Sequence, residues 1–461
     1  MSDPRLTTFG VVVNQLSGKQ RDKLVVFSKV KSSYDKQKQI AVYQPLKVDG
    51  KSYFIVPRNW AFAEYPEVSL LIPPTPKFKN KIHLETKPRK LQEDALTKII
   101  NSFREKHCAF IVAGCAFGKS LLSLLLVEKY QKKTLIVVDN KTLMRQWKSE
   151  EIEKHFKGSV NVYFWTSSHK NTCNFSDAHI VIATVQTLIK DRYERTDFDT
   201  FNLVIFDEVH VFAPEKFSRV FLKISPRYIM GITAEEERSD GLEKVYEHFL
   251  GKPTFTYHNK EENGNFVDVI PHFLSGYVNK IEEKEYMDAK FELAQCAPRN
   301  KFIIDKITEI FPLTPTSSPR SGILILSCYR EHLVLLYYLL LKRDIRYASK
   351  SGIIYGGLGE EQTKKLSKKE IIFGIDKICA KSFNAPHLDT LLITLPFKTL
   401  IRQISGRVVR KKHKNKVQII DLIDKDYIPF KLHWIYRKKF YGTRPKFTIK
   451  ERKKDKFDEE E

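Results

Sequence analysis

Short aliphatic runs alternate with longer amphipathic stretches in two separate parts of this chain, and that alternation restricts its fold more than any other feature. CAFIVAG leads into SLLSLLLVEKY, TLIVVDN into KTLMRQWKSEEIEKHF and HIVIATV into QTLIKDRY, with LVIFDEV next. After a break the texture resumes. SGILILSC precedes YREHLVLLYYLLLKR, and KSGIIYGG, KEIIFGI, LDTLLITLP and KVQIIDLID follow. A continuous Val/Ile/Leu run has no polar face to give to water, so it suits a strand covered on both sides. Parallel neighbours need a crossover long enough to return the chain, and an amphipathic helix supplies it. The expected fold class is α/β, with two tandem parallel-sheet domains.

The flanks read differently. Residues 1–87 hold short alternating runs such as VVVNQL, LVVFSKV and IAVYQPL, then a Pro-rich link, and suggest a small, mostly β N-terminal element. The first α/β domain is expected over 88–255 and the second over 321–425. Between them, KEENGNF and FPLTPTSSPRSG read as turns and a linker, 256–320. Residues 426–461 form a basic extension in which aromatics and lysines interleave, and from residue 401 onward 19 Lys/Arg stand against 9 Asp/Glu. That composition suits a surface tracking a nucleic-acid strand, or equally a tail docked through its rings.

Over the whole chain Lys and Arg outnumber Asp and Glu by 79 to 55, a net charge of +24. Such a charge calls for a polyanionic partner: nucleic acid first, an anionic membrane surface second. The six cysteines (108, 115, 173, 296, 328 and 379) never form a C-x-x-C pair, which disfavours a zinc ribbon or a disulfide framework and fits a reducing compartment. No run of ~18 apolar residues occurs and MSDPRLTTFG has no apolar signal region, so a soluble, intracellular protein is expected without membrane association.

AGCAFGKS, residues 113–120, almost spells the phosphate loop G-x-x-x-x-G-K-[ST], with Ala113 where glycine is usual. A strand before it and a helix after it would let backbone N–H groups and the helix N-terminus hold phosphate oxygens. In that reading Gly114, Cys115, Ala116, Phe117 and Gly118 form the cradle, Lys119 reaches the β/γ-phosphates and Ser120 ligates Mg²⁺. A structural turn is the competing reading. FDEVH puts Asp207 and Glu208 at the end of an apolar run 88 positions after Lys119, where α/β folds place ligands. Asp207 could hold the metal and Glu208 polarise the attacking water. QISGRVVR sets Arg407 and Arg410 three apart. Two arginines offered from a second domain would meet charge developing on a γ-phosphate.

With these residues in order, the chain resembles superfamily 2 helicases, specifically the XPB/UvsW-like group and its poxvirus transcript-release relatives, over roughly residues 88–445. KPRKLQEDAL is similar to the family's R-x-x-Q motif, with Gln92 on the adenine side, and GCAFGKS to P-C-G-F-G-K-T. VVDNKTLMRQW resembles motif Ia, IVIATVQTL motif Ib, DEVH motif II, and GITAEEERSDG the G-L-T-A-T-P-x-R-x-D-G segment. ILILSCYREHL resembles motif IV and IIFGIDKICAKSFNAPHLDTLLI motif V. QISGRVVR matches Q-x-x-G-R-x-x-R at every specified position, which adds Gln403 to Glu208, Arg407 and Arg410 as candidate catalytic residues. The resemblance implies two RecA-like domains, ATP and Mg²⁺ as cofactors, and a helicase or translocase on nucleic acid, DNA ahead of RNA. It also implies viral transcription, with a transcription complex as candidate partner, or genome maintenance, in host cytoplasm and in the virion. Ala116, Glu235, Lys381 and Asn384 depart from the family pattern. Ala116, Glu235 and Asn384 motivate one alternative, a nucleic-acid clamp that kept the fold without turnover; an RNA helicase is the other.

Overall fold

The computed structural model describes residues 4–8, 10–29, 39–114, 117–158, 160–166, 175–235, 238, 240–257, 265–277, 286–313, 320–382, 385–397, 401–408 and 413–450. The chain divides into two compact units, residues 1–259 and 260–461. In the first, β1 (Cys108–Ala113), β2 (Thr134–Val138), β3 (Val162–Trp165), β4 (Ile180–Thr184), β5 (Leu203–Asp207), β6 (Tyr228–Thr233) and β7 (Phe255–Tyr257) make one sheet. Its order is β3-β4-β2-β5-β6-β1-β7 and every pairing is parallel. Every residue of β1, β2 and β4 is buried, as continuous apolar runs require when both faces are covered. Helices α1 (Lys90–Lys106), α2 (Lys119–Tyr130) and α3 (Lys141–Gln146) lead into or out of the strands that carry the motifs.

The second unit repeats the arrangement. Its strands are β8 (Val267–Leu274), β9 (Ile323–Ser327), β10 (Ser351–Ile354), β11 (Ile371–Ile375), β12 (Thr390–Ile393), β13 (Val417–Asp424) and β14 (Phe447–Ile449). They lie in the order β10-β11-β9-β12-β13-β8-β14, again wholly parallel. Counted from the first strand of each sheet, both orders are 3-4-2-5-6-1-7. The fold is two tandem RecA-like α/β units.

Ahead of β1, a mixed sheet joins Arg5–Thr7, Gly10–Val13, Gln44–Val48, Lys51–Val56 and Ser69–Leu70. It shares one apolar cluster with β1, β2 and β5: Leu6, Val11 and Trp60 pack with Phe110, Leu135 and Phe206. Arg58 pins the two together. Its buried guanidinium donates to the carbonyls of His107 (2.8 Å), Arg227 (2.9 Å) and Pro226 (2.5 Å). Burial lowers its pKa to about 10, the expected cost of holding a cation among neutral oxygens.

Two segments differ from their sequence reading. The stretch read as a linker, 256–320, contains β8 and helices α4 (Tyr286–Gln295) and α5 (Ala297–Ile310). β8 is internal to the sheet, paired along eight residues with β13. Asp268, His272 and the strand-disfavouring Pro271 interrupt its apolar run and hide it from a search for continuous ones. In the second correction, the segment read as a basic aromatic extension completes the unit. Helix α7 (Ile428–Gly442) buries Trp434, Arg437 and Tyr441, and β14 extends the sheet from β8. Those two rings therefore pack, and the large apolar residues that α7 leaves exposed are Ile428, Leu432, Ile435 and Tyr436.

Candidate nucleotide site

The strand order makes β5, β6 and β1 neighbours, so their carboxyl ends converge. Thr233 pairs with Val112 and Asp207 with Ile232. Three segments far apart in sequence thus meet at one sheet edge: Gly114 and Phe117–Lys119 after β1, Asp207–Glu208 at the end of β5, and Thr233–Glu235 at the end of β6.

The loop after β1 turns into α2 at Gly118, whose φ of +91° marks the left-handed region. A Cβ there would also lie 2.4 Å from Gln92 Nε2. Only glycine meets both conditions. Gln92, on the first turn of α1, is buried and donates to the Phe117 carbonyl at 2.7 Å. Arg89 donates to the same carbonyl at 2.6 Å, so two donors hold the loop from outside. Phe117 is buried against Phe255 and Tyr257, at ring separations of 5.5 and 4.8 Å. Gly114 N donates to the Tyr257 carbonyl at 3.2 Å. Lys119 Nζ donates back to the Ala113 carbonyl at 2.7 Å.

The acidic pair lies within reach of that ammonium. Burial and the neighbouring Glu208 charge push Asp207 up to about 7, while the Trp147 indole N–H, 2.8 Å from Oδ2, and Lys119 oppose them. For Glu208, burial raises the pKa, but Lys119, His210, the Ala234 amide and the Thr233 hydroxyl together outweigh it and hold it below the usual carboxylate value. Glu208 sits at φ +52°, a left-handed conformation that costs a side-chain-bearing residue roughly 1 kcal/mol or more and persists when surrounding contacts fix it. Those contacts are visible. Thr233 Oγ1 donates to Glu208 Oε2 (3.3 Å) and accepts from the Glu235 amide (3.0 Å). His210 Nδ1 lies 2.8 Å from that hydroxyl and 3.4 Å from Glu208 Oε2, with its Nε2 3.6 Å from Glu235 Oε2. Arg238 forks onto Asp240 at 2.9 and 2.6 Å and donates to the His210 carbonyl.

Gln92, Gly114, Phe117, Gly118, Lys119, Ser120, Asp207 and Glu208 all lie in this one region of the first unit. Cys115 and Ala116 lie outside the described residues. Gln403 and Arg407 are on helix α6 (Ile401–Val408) of the second unit, but their side chains lie outside the described set, as do Arg410 and Asn384. Sequence reasoning missed Arg89, Trp147, Thr233 and His210 as site residues. All four stood inside quoted motifs, and nothing in their spacing marked them as contacts.

The comparisons with known proteins bear on this same segment. The family described as "Type III restriction enzyme, res subunit" matches residues 85–238, which contain both the Gly-Lys-Ser loop and the Asp-Glu pair. "Putative ATP-dependent RNA helicase L396" of Acanthamoeba polyphaga mimivirus is 26% identical over 98% of this chain and 89% of its own length. "Putative helicase 161L" of Invertebrate iridescent virus 6 is 26% identical over 74% of this chain and 78% of its own. Over most of its length, then, the chain is similar to putative helicases of large DNA viruses. Among solved structures, a fragment of an HsdR subunit of a type I restriction enzyme from Vibrio vulnificus YJ016 superposes with a TM-score of 0.54. That likeness, at 15% identity over 76% of this chain and 66% of the other, is one of fold. The similarity of the chain to putative helicases of large DNA viruses supports ATP-dependent helicase activity. Among the described residues no helix is long and apolar enough to cross a membrane.

Proposed function

We propose that the chain is an ATP-driven motor acting on DNA, in the transcription or genome maintenance of a large DNA virus, with the nucleotide held at the edge formed by β1, β6 and β5. One observation carries the reading: the strand order brings the Gly118–Lys119 start of α2 and the Asp207–Glu208 pair to the same end of one parallel sheet, with Thr233 of β6 between them. A cation on a glycine-bounded helix start, at the same sheet end as two adjacent carboxylates, is the arrangement phosphoryl transfer needs. In this reading Lys119 serves the β/γ-phosphates, the α2 N-terminus and loop amides hold their oxygens, and Gln92 lies on the adenine side. Glu208, kept ionised, accepts hydrogen bonds and orients the attacking water.

Asp207 and Ser120 fit Mg²⁺, since a carboxylate and a hydroxyl are the hard oxygen donors it prefers. Among the described residues no group of three or more His, Cys, Asp or Glu could hold a metal by itself, which suits an ion that arrives with the nucleotide. When bound, Mg²⁺ would neutralise charge on the phosphates. Arg407 and Arg410 are proposed as the cations that complete this neutralisation in the transition state.

The preference for DNA rests on the resemblance to the XPB/UvsW-like group, whereas the mimivirus relative's name points to RNA. ATP turnover measured with single-stranded DNA, duplex DNA and RNA separates the possibilities. Stimulation by DNA is expected. Stimulation by RNA alone would replace the substrate assignment, and tight binding without turnover would leave a clamp.

A further inference from the structure

Trp147 ends the segment that resembles motif Ia, and its side chain has entered above only as a neighbour of Asp207. The ring is buried, and its one polar atom, Nε1, donates to Asp207 Oδ2 at 2.8 Å across 60 positions of sequence. What aims it is an irregularity of the backbone. α3 ends at Gln146 and the chain continues as a π-helix over Trp147–Ile152. The buried residues here are Met144, Trp147 and Ile152. At ~100° per residue an α-helix would set Trp147 and Ile152 ~140° apart; the wider i→i+5 turn brings them back toward one face. Short π segments of this kind recur at functional sites.

We propose that Trp147 is a positioning residue for the metal: its indole N–H fixes one oxygen of Asp207, so that the other is the oxygen offered to Mg²⁺. The inference rests on the nucleotide site proposed above. A carboxylate without that anchor rotates about its terminal torsion, whose preferences are broad, and must be ordered when the ion binds. With the anchor, that ordering is already done in the folded chain. The indole also occupies one of two oxygens that would otherwise compete for the same ion.

Trp147→Phe keeps an aromatic ring in the core and deletes the donor. The probe is mant-ADP, whose affinity is measured by fluorescence without Mg²⁺ and then across a Mg²⁺ titration, with thermal melting as the control for folding. Wild-type and variant proteins are expected to bind mant-ADP within about twofold when Mg²⁺ is absent. The Mg²⁺ concentration giving half of the metal-dependent change should rise about tenfold in the variant (~1.4 kcal/mol). An unchanged Mg²⁺ midpoint in folded Trp147→Phe protein overturns the proposal while leaving the nucleotide site intact. Failure of the wild type to bind mant-ADP at all overturns both. Should the variant not fold, ¹⁹F spectra of wild-type protein carrying 5-fluorotryptophan decide the matter. One of the four tryptophan signals must shift when Mg²⁺ is added to the mant-ADP complex, and no Mg²⁺-dependent shift refutes the assignment.

Discussion

Arg437→Met tests whether the basic end of the chain is a nucleic-acid surface or part of the second unit's interior. The Arg437 guanidinium meets Asp421 in two bonds of 2.8 Å, with side chains 1% and 0% exposed. A third bond goes to the Phe397 carbonyl at 2.5 Å, and the Tyr441 hydroxyl donates to Asp421 at 3.1 Å. Deleting the arginine leaves a carboxylate in the middle of β13 with one neutral donor. Removing one partner of a buried pair costs ~3–5 kcal/mol, against a total of ~5–15 kcal/mol for a typical domain. The readout is amide hydrogen exchange along Val417–Asp424, because a chain of two units need not unfold in one step. Protection there should fall roughly 10²–10⁴-fold. The double variant Arg437→Met/Asp421→Asn should regain at least ~2 kcal/mol, since no charge then remains buried. DNA affinity and its salt dependence should stay near wild type wherever the protein is folded. A loss below ~1 kcal/mol, additive single effects, or weakened DNA binding by a stable Arg437→Met protein would refute the packing argument.

Lys119→Ala and Glu208→Gln should each abolish ATP turnover while nucleic-acid affinity, measured by filter binding, stays nearly intact; wild-type hydrolysis by Glu208→Gln protein excludes Glu208 as the residue that orients water. Arg407→Ala and Arg410→Ala proteins should melt near the wild-type temperature and bind an ATP analogue within about tenfold (~1.4 kcal/mol). Each should lose ~10³–10⁵ in stimulated rate; retention of most of that rate in either folded variant removes these arginines from the chemistry. Stability of the second unit should fall with acid through His332, buried with its ring nitrogens 3.0 Å from Ser327 Oγ and 2.9 Å from Asn300 Oδ1. Burial and the Arg299 charge lower its pKa to about 3. The folded state therefore refuses a proton that the unfolded chain takes up below ~6.5, so stability present above pH ~6.5 is lost on acidification, by ~2 kcal/mol at pH 5. In urea titrations at pH 7 and pH 5, His332→Gln should show the smaller difference; an equal difference would mean that other groups control the acid response.

The sequence alone determined most strands of the two sheets and the glycine of the loop after β1, because their signals are local. A fully buried parallel strand must be a continuous apolar run, and β1, β2 and β4 are. A loop pressed against Gln92 at positive φ must have glycine at 118. Tertiary structure decided the rest. β8 was not legible, since Asp268, Pro271 and His272 interrupt its apolar run and only its pairing with β13 and β14 makes it a sheet member. Arg437 is spelled like any solvated arginine; that it is buried follows from Asp421, 16 positions earlier, facing it across the core. The same holds for Trp147 and Asp207, and for the ring of contacts among Glu208, Thr233 and His210. Hydrophobicity and backbone conformation are properties of a residue and its neighbours in sequence and can be read there. The free energy of a buried charge or a hydrogen bond belongs to a pair, and the strand order of the sheet selects which pairs exist.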